Sequence, residues 1–502
     1  MNAVALRQNI LAGLTSSFAL VPECIAFALV AHLNPLMGLY GAFIICTITA
    51  LFGGRPAMIS GAAGSMAVVI VALVVQHGVQ YLLATVVLSG IVMLLFGVLR
   101  LGKLIRMVPH PVMLGFVNGL AIVIAMAQLE HFKVPGPDGG MQWLHGGPLL
   151  MMLGLVTLTM AIVYLLPRLT KAAPAALVAI VGVGLLTQLL HLPTRVLGDM
   201  AHIAGSLPAF HLPSAPMNGE TLKIILPYAV LMAMVGLLET LLTFNLTDDI
   251  TQTRGQPNRE CIALGAANIV SGLFGGMGGC AMIGQTMVNL SSGGRSRVSG
   301  IVSGVMILLF ILFLSPLIER IPMAALVGVM FVVAQQTFAW GSLRALRKVP
   351  GNDALVIVAV TIITVFTDLA VAVVCGIVIA ALHFVWQHAR DIRVEAVAKG
   401  DGSPDTEAAA HTEGSTLYRA HGTLFFASTT SFLAQFDSAN DPLHVVVDCR
   451  ALRVVDHSAI AALESLIARY AQLGKQIRFQ NVSPRCEHLL ARAGVNVPQV
   501  AR

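Results

Sequence analysis

Apolar residues run along this chain in long blocks, each closed by a short polar or glycine- and proline-rich break. A helix needs about 20 predominantly apolar residues to cross the hydrocarbon core of a bilayer. Blocks of that kind fall near residues 9–31, 37–54, 57–75, 80–99, 109–128, 149–167, 173–192, 222–246, 260–274, 279–290, 298–316, 322–339, 353–367 and 369–387. The pattern predicts about fourteen membrane segments, some of them short or broken.

After Arg390 the pattern changes. DIRVEAVAKGDGSPDTEAAAHTEGS is polar and reads as a linker over 391–415. From about Thr416 the pattern is that of a soluble α/β unit. LHVVVDCRAL predicts a buried strand and SAIAALESLIARYAQLG an amphipathic helix stopped by Gly474. QIRFQNV predicts a second strand and PRCEHLLARAGV a second helix. The expected organisation is a membrane domain over 1–390, a linker, and a cytoplasmic domain over 416–502.

Composition agrees with a lipid-facing protein: 57% of the 502 residues are hydrophobic and 11% charged, where a soluble chain carries about 25% charged. The net charge of +6 therefore does not point to nucleic acid, and the distribution of charge matters more than its sum. With the N-terminus inside, the inner loops carry Arg55; Arg100, Lys103 and Arg106; Arg168 and Lys171; Arg254 and Arg259; Arg295 and Arg297; and Arg344, Arg347 and Lys348. The outer loops hold Lys133, Arg195 and Arg320, with Lys223 at a boundary. This is the positive-inside asymmetry, and it places both termini in the cytoplasm. MNAVALRQNI runs straight into the first block with no signal-peptide pattern, so a multi-pass protein of the plasma (inner) membrane is expected. The seven cysteines are scattered without CxxC or His/Cys spacing, and Cys24, Cys46, Cys261, Cys280 and Cys375, which lie in apolar runs, read as small buried hydrophobes. No metal site, cofactor or enzymatic activity is expected.

Ionisable residues within membrane blocks are costly and mark ion or substrate pathways. Glu23 follows Pro22, which leaves a carbonyl unpaired and can break or kink the first segment. Glu239 lies in the middle of MVGLLETLLTFNLT, with Thr240 beside it and Thr243 one turn on, on the same face. A proton or Na⁺ neutralising Glu239 would make it a coupling site. Asp368, between two closely spaced blocks, reads as a cap or turn.

Two further stretches match one another. GGRPAMISGAAGSMAVVI (Gly53–Ile70) and GGMGGCAMIGQTMVNLSSGGRSRVSG (Gly275–Gly300) each place small residues before a short apolar helix, in the third and tenth segments. They are seven segments apart, an odd number, so the repeat is inverted and two half-helix N-termini can face one cavity near the midplane. Each N-terminus carries unpaired N–H groups and partial positive charge, which suits an anion. No GK[ST] follows either patch, which excludes a phosphate-cradling loop of the P-loop type.

These residues resemble the SulP anion transporters, the sulfate permease group also called solute carrier family 26. The resemblance covers most of the chain. It rests on GLYGAFIICTITALFGGRP (Gly38–Pro56), GSLPAFHLP (Gly205–Pro213), the stretch from Glu239 to Gly300, and VVVDCRALRVVDHSAIAAL (Val445–Leu463), which resembles a STAS domain. It implies an all-α polytopic membrane protein of fourteen segments in a 7+7 inverted repeat, divided into core and gate domains, followed by a small α/β STAS domain. It also implies a homodimer in the bilayer. The anion would lie between the two half-helices, lined by Glu23, Phe27, Ala63, Gly64, Ser65, Ile283, Gly284 and Gln285. Ser65 and Gln285 would be side-chain donors, and Glu239 and Thr243 the cation-coupling pair.

Two departures refine the expectation. Gln285 stands where animal members often carry arginine, which favours a coupled symporter in which an incoming cation balances charge. The STAS phosphoswitch pattern, usually Asp-Ser-Ser-Gly, is here Asp456-His457-Ser458-Ala459, and Ser458 is expected to cap the following helix. The function implied is symport of a small oxyanion or carboxylate (bicarbonate, sulfate or a dicarboxylate such as fumarate) by an elevator-like or rocking movement, with H⁺ favoured over Na⁺. The rival readings are an uncoupled exchanger or channel, and a nucleobase–proton symporter, against which the STAS-like tail speaks.

Overall fold

The computed structural model describes residues 3–102, 110–135, 141–169, 174–199, 205–216, 218–345, 351–367, 369–397, 415–493 and 498. Asp368, Lys103, Arg106, Lys171, Arg347 and Lys348 lie outside them. The membrane part begins with α1 (Ala3–Val30), α2 (Pro35–Phe52), β1 (Ser60–Ala62), α3 (Gly64–His77), α4 (Val79–Val98) and α5 (His110–Gln128). A small hairpin of β2 (Lys133–Pro135) and β3 (Met141–Trp143) leads to α6 (Gly147–Leu169) and α7 (Ala175–Leu189). The second half holds α8 (Gly219–Thr251), α9 (Pro257–Leu273), β4 (Gly279–Ala281), α10 (Ile283–Ser291) and α11 (Arg297–Phe313). A single turn, α12 (Ser315–Glu319), precedes α13 (Met323–Thr337), and α14 (Trp340–Ala345) precedes α15 (Gly351–Phe366) and α16 (Leu369–Arg390).

Every apolar block of the sequence thus holds a helix. Among the described residues, six helices are long and apolar enough to cross a bilayer alone; the others are shorter or less apolar. The break expected at Pro22 is absent: α1 is one helix of 28 residues with Pro22 inside it. Packing of α1 on α2, α10 and α11 holds the helix through the missing hydrogen bond, as neighbours commonly do in membranes.

The helices pack in two bundles that interlace the halves of the sequence. In the first, α4 lies on α8 and α9, α2 on α9 and α11, and α1 on α2 and α11. In the second, α5 lies on α13 and α15, and α6 on α7 and α13. The bundles meet where α1 faces α7 and α13, and where α3 faces α5. Small residues set the closest approach in the first bundle. A Cβ on Gly265 of α9 would lie 2.6 Å from the Gly90 carbonyl oxygen of α4, and a Cβ on Gly90 equally close to the Gly265 oxygen. Lipid tails are as apolar as leucine, so such backbone-to-backbone contact, rather than the hydrophobic effect, drives helix association here.

One end of this bundle is braced by charge. The Glu260 carboxylate accepts from the Gly54 and Arg55 backbone N–H groups at 2.7 and 3.0 Å. The Arg55 side chain, 6% exposed, lies 3.2 Å from Asp248 Oδ1 and donates to the Thr247 carbonyl and to Thr253 and Thr251. Arg297 donates to the carbonyls of Ala50, Leu51 and Gly53, and Arg259 to that of Phe52. These are the carbonyls that the end of α2 leaves without intrahelical partners.

The soluble unit holds β5 (Arg393–Val397), β6 (Ser415–Leu424), α17 (Thr429–Leu433), β7 (His444–Val454), α18 (His457–Gln472), β8 (Gln476–Gln480) and α19 (Pro484–Arg492). The sheet order is β5-β6-β7-β8, with β5 antiparallel to β6 and the other pairs parallel. Ala459, Leu463, Leu466 and Tyr470 form the buried stripe of α18 at helical spacing, and Gly474 follows with φ +70°.

Two expectations need correction. The stretch 391–415, expected as linker, contains β5, whose pattern of exposed Arg393, buried Val394 and exposed Glu395 is a short strand alternation hidden in a polar context. The cap of α18 is Asp456, not Ser458. Its Oδ1 accepts from the Ala459 N–H at 2.9 Å and its Oδ2 from the Phe426 N–H at 2.8 Å. Ser458 is an exposed first-turn residue.

The packing contact carries a prediction. Gly265→Leu forces α4 and α9 apart and costs about 1–3 kcal/mol, read as a lowered thermal unfolding midpoint in detergent. Gly154→Leu on α6, where a Cβ meets nothing within 4 Å, leaves the midpoint unchanged.

Candidate functional site: two half-helices on a strand crossing

The site is built on a two-stranded sheet of three residues per strand. β1 and β4 pair antiparallel, with Ser60 opposite Ala281, Gly61 opposite Cys280 and Ala62 opposite Gly279. A Cβ on Gly279 would sit 2.1 Å from the Gly61 carbonyl oxygen, so the crossing requires glycine there. Each strand passes through one extended residue, Ala63 or Met282, and enters a half-helix: α3 with fourteen residues, α10 with nine. Because the strands are antiparallel, the helices depart in opposite senses and their N-termini stay at the crossing.

Neither N-terminus has a side-chain cap. The first intrahelical bonds are those of the Ala67 N–H to Ala63 at 3.0 Å and of the Thr286 N–H to Met282 at 3.1 Å. The N–H groups of Gly64, Ser65 and Met66 on one side, and of Ile283, Gly284 and Gln285 on the other, precede the helical ladder. Their partial positive charges at one crossing make an anion-binding arrangement.

The two ends differ in access. Ala63, Gly64 and Ser65 are buried, and a Cβ on Gly64 would lie 2.6 Å from the Phe27 ring and 3.1 Å from Ile124. At α10, Ile283 is 42% exposed and Gly284 has open space around it. Gln285 is buried and lies beside Glu23, which is half-buried on α1. The residues expected around the anion therefore come together, with the α3 end covered and the α10 end open.

Glu239 lies behind the crossing. One carboxylate oxygen, Oε2, accepts from the Ser65 hydroxyl of α3 and from the Cys280 thiol of β4, each at 2.8 Å. Next to it, the Thr240 hydroxyl accepts from the Ala281 N–H at 3.1 Å. Thr243 donates to the Glu239 backbone carbonyl at 2.9 Å and lies 3.4 Å from the Ala281 carbonyl. The hydroxyl of Ser65, expected as a donor to the anion, is engaged by Glu239 instead.

Other members of the site are less conspicuous in the sequence. Asn268 of α9 clamps Gly279, donating to its carbonyl at 3.1 Å and accepting from its N–H at 3.0 Å. Thr286 accepts from the Ile59 N–H at 3.0 Å, and Asn289 donates to the Ala57 carbonyl at 2.9 Å. A polar side chain inside an apolar block was the available clue for Asn268. Cys280, grouped with the inert cysteines, had none.

The chain matches the sulfate permease family over residues 6–134 and 141–392, and a STAS domain over 407–497. It is 40% identical to the putative sulfate transporter YbaR of Bacillus subtilis, covering 97% of this chain and 96% of that one. It is 30% identical to the bicarbonate transporter BicA of Picosynechococcus, over 94% and 88% of the two chains. Among solved structures, the transmembrane domain of a cyanobacterial BicA superposes with a TM-score of 0.65 at 31% identity, covering 74% of this chain and 98% of that one. The murine anion transporter Slc26a9 superposes with a TM-score of 0.83 at 17% identity, over 97% and 87%, a likeness of fold.

The crossing makes a paired prediction. Gly279→Ala drives a methyl into the Gly61 carbonyl, separates the strands and abolishes anion uptake in proteoliposomes. Gly284→Ala, at the open end, keeps uptake near wild type.

Proposed function

The chain belongs to the sulfate permease family of anion transporters, and on that premise we propose that it is a secondary active symporter. It carries a small oxyanion or carboxylate (bicarbonate, sulfate or a dicarboxylate such as fumarate) together with a proton. The observation that carries this reading is the placement of Glu239. Its one oxygen joins α3 and β4, the two elements whose ends form the anion site.

Coupling follows from electrostatics at close range. With Glu239 ionised, a negative charge stands directly behind the half-helix ends and opposes an anion there. Neutralising it lifts that opposition, so cation and anion load together. Gln285 supplies no fixed charge that would make the cation dispensable. The nature of the donors favours a proton over Na⁺. Na⁺ is a hard ion that seeks oxygen lone pairs, as other hard cations do, whereas Cys280 and Ser65 present a thiol and a hydroxyl that give hydrogens to the carboxylate. The second carboxylate oxygen remains for the proton. Thr243 holds its helix turn through the Glu239 carbonyl and would offer Na⁺ a single hydroxyl oxygen.

In the transport cycle the bundle of α1–α4 and α8–α11 carries the site and moves against the bundle of α5–α7, α13 and α15, exposing the anion alternately to each side. The same reading places the protein as a homodimer in the plasma (inner) membrane with both termini, and the soluble unit that begins at β5, in the cytoplasm.

Uptake of labelled bicarbonate, sulfate and fumarate into proteoliposomes tests the proposal. An inward proton gradient is expected to concentrate one of these anions above equilibrium, and an inward Na⁺ gradient alone is not. Initial rates rise as external pH falls, because the carboxyl must be protonated to load. Glu239→Gln abolishes the response to the proton gradient. Gradient-independent flux, unchanged in that variant, would make this an exchanger or channel and refute coupling through Glu239.

A further inference from the structure

The cleft between the two bundles is not filled along its length. Beside Pro22 it widens into a cavity of about 360 Å³ whose walls come from both bundles. Pro22 on α1 and Phe310 on α11 form one side, and Gly184 and Leu185 on α7 the other. None of the residues around the anion lines it. Among the described residues, Gln188 and Arg320 are the only polar side chains in its wall.

At about 30 Å³ each the volume would hold roughly a dozen waters, but a buried water needs two to four polar partners and the wall offers few. The size falls within the range of about 300–1,000 Å³ typical of ligand sites. Its lip is apolar and open: Leu185 on α7 is 55% and Leu317 on α12 63% exposed, surface that a bilayer would cover at less cost than water. An occupant therefore enters from the bilayer rather than from water. Arg320 stands at the rim, exposed, and its guanidinium makes no ion pair or hydrogen bond to any described residue, while its neighbour Glu319 has its own partner.

We propose that this cavity is a lipid site, in which one acyl chain of an anionic phospholipid lies between α1 and α7 and its phosphate meets Arg320. Charge complementarity selects the headgroup, since a basic side chain at an intramembrane pocket favours a net negative lipid over a zwitterionic one. The lipid touches both bundles, and it does so one residue before Glu23. Any relative movement of the bundles reshapes its pocket, so an occupied cavity changes the rate of that movement.

The test reads lipid retention, not transport, so its failure leaves the proposed symport standing. Full-length protein in detergent is given equal amounts of palmitoyl-oleoyl phosphatidylglycerol and the matching phosphatidylcholine, and bound lipid is read by native mass spectrometry. The wild type is expected to retain phosphatidylglycerol at least tenfold over phosphatidylcholine. Arg320→Gln removes the preference between headgroups. Gly184→Leu removes retention of both lipids, because a side chain there meets nothing nearer than Pro322 at 3.6 Å and grows into the cavity. The two variants act by separate routes, so a folding failure in one leaves the other decisive. Equal retention of the two lipids by the wild type, undiminished phosphatidylglycerol on either variant, or displacement of it by equimolar oleate would overturn the proposal.

Discussion

The membrane part of this protein depends on one contact, the passage of the Gly279 backbone across the Gly61 carbonyl. Everything that makes an anion site follows from it. Two strands of three residues cannot be stable alone, and extended backbone inside a bilayer must satisfy its polar groups within the protein. The crossing meets that requirement by pairing β1 with β4, which fixes the two half-helices end to end. Neither helix has a side-chain cap, and their bare N–H groups are the surface proposed to meet the anion.

A ring of buried polar side chains holds the crossing in place. Asn268 clamps Gly279 from α9, Thr240 takes the Ala281 N–H from α8, and Thr286 takes the Ile59 N–H from α10. Each replaces a water that the bilayer does not supply. Glu239 belongs to the same ring, and so the group proposed to sense a cation is also one of the struts. Proton uptake there would be felt mechanically as well as electrostatically, because its acceptor oxygen is shared by two elements of the site.

The helices, the inverted pairing of the third and tenth segments and the α/β character of the tail were legible in the sequence because each is written in periodicity or in spacing. Single polar groups were less so. Ser65 and Cys280 read as a donor to the anion and as an inert cysteine. Only the fold, which brings Ser65 from 174 positions away and Cys280 from 41 into hydrogen-bonding distance, turns both toward Glu239. The first strand of the soluble unit was hidden because five residues of alternation, RVEAV, sit at the head of a polar run. The capping of α18 was misplaced by two residues, since aspartate and serine are both good caps and only the backbone decides between them.

Arg55 serves at two different times. On the proposed orientation, in the nascent chain it is one of the cations whose uneven distribution sets the sense of insertion, and for that purpose its charge must be free. Its final partners lie on α8, some 192 positions later, and do not yet exist when the first segments enter the bilayer. Once α8 arrives, the same guanidinium is withdrawn from the surface and becomes an internal strut between the start of the third segment and the end of the eighth. A topogenic signal is thus converted into a structural one, and the charge that orients the early chain disappears from view in the finished protein.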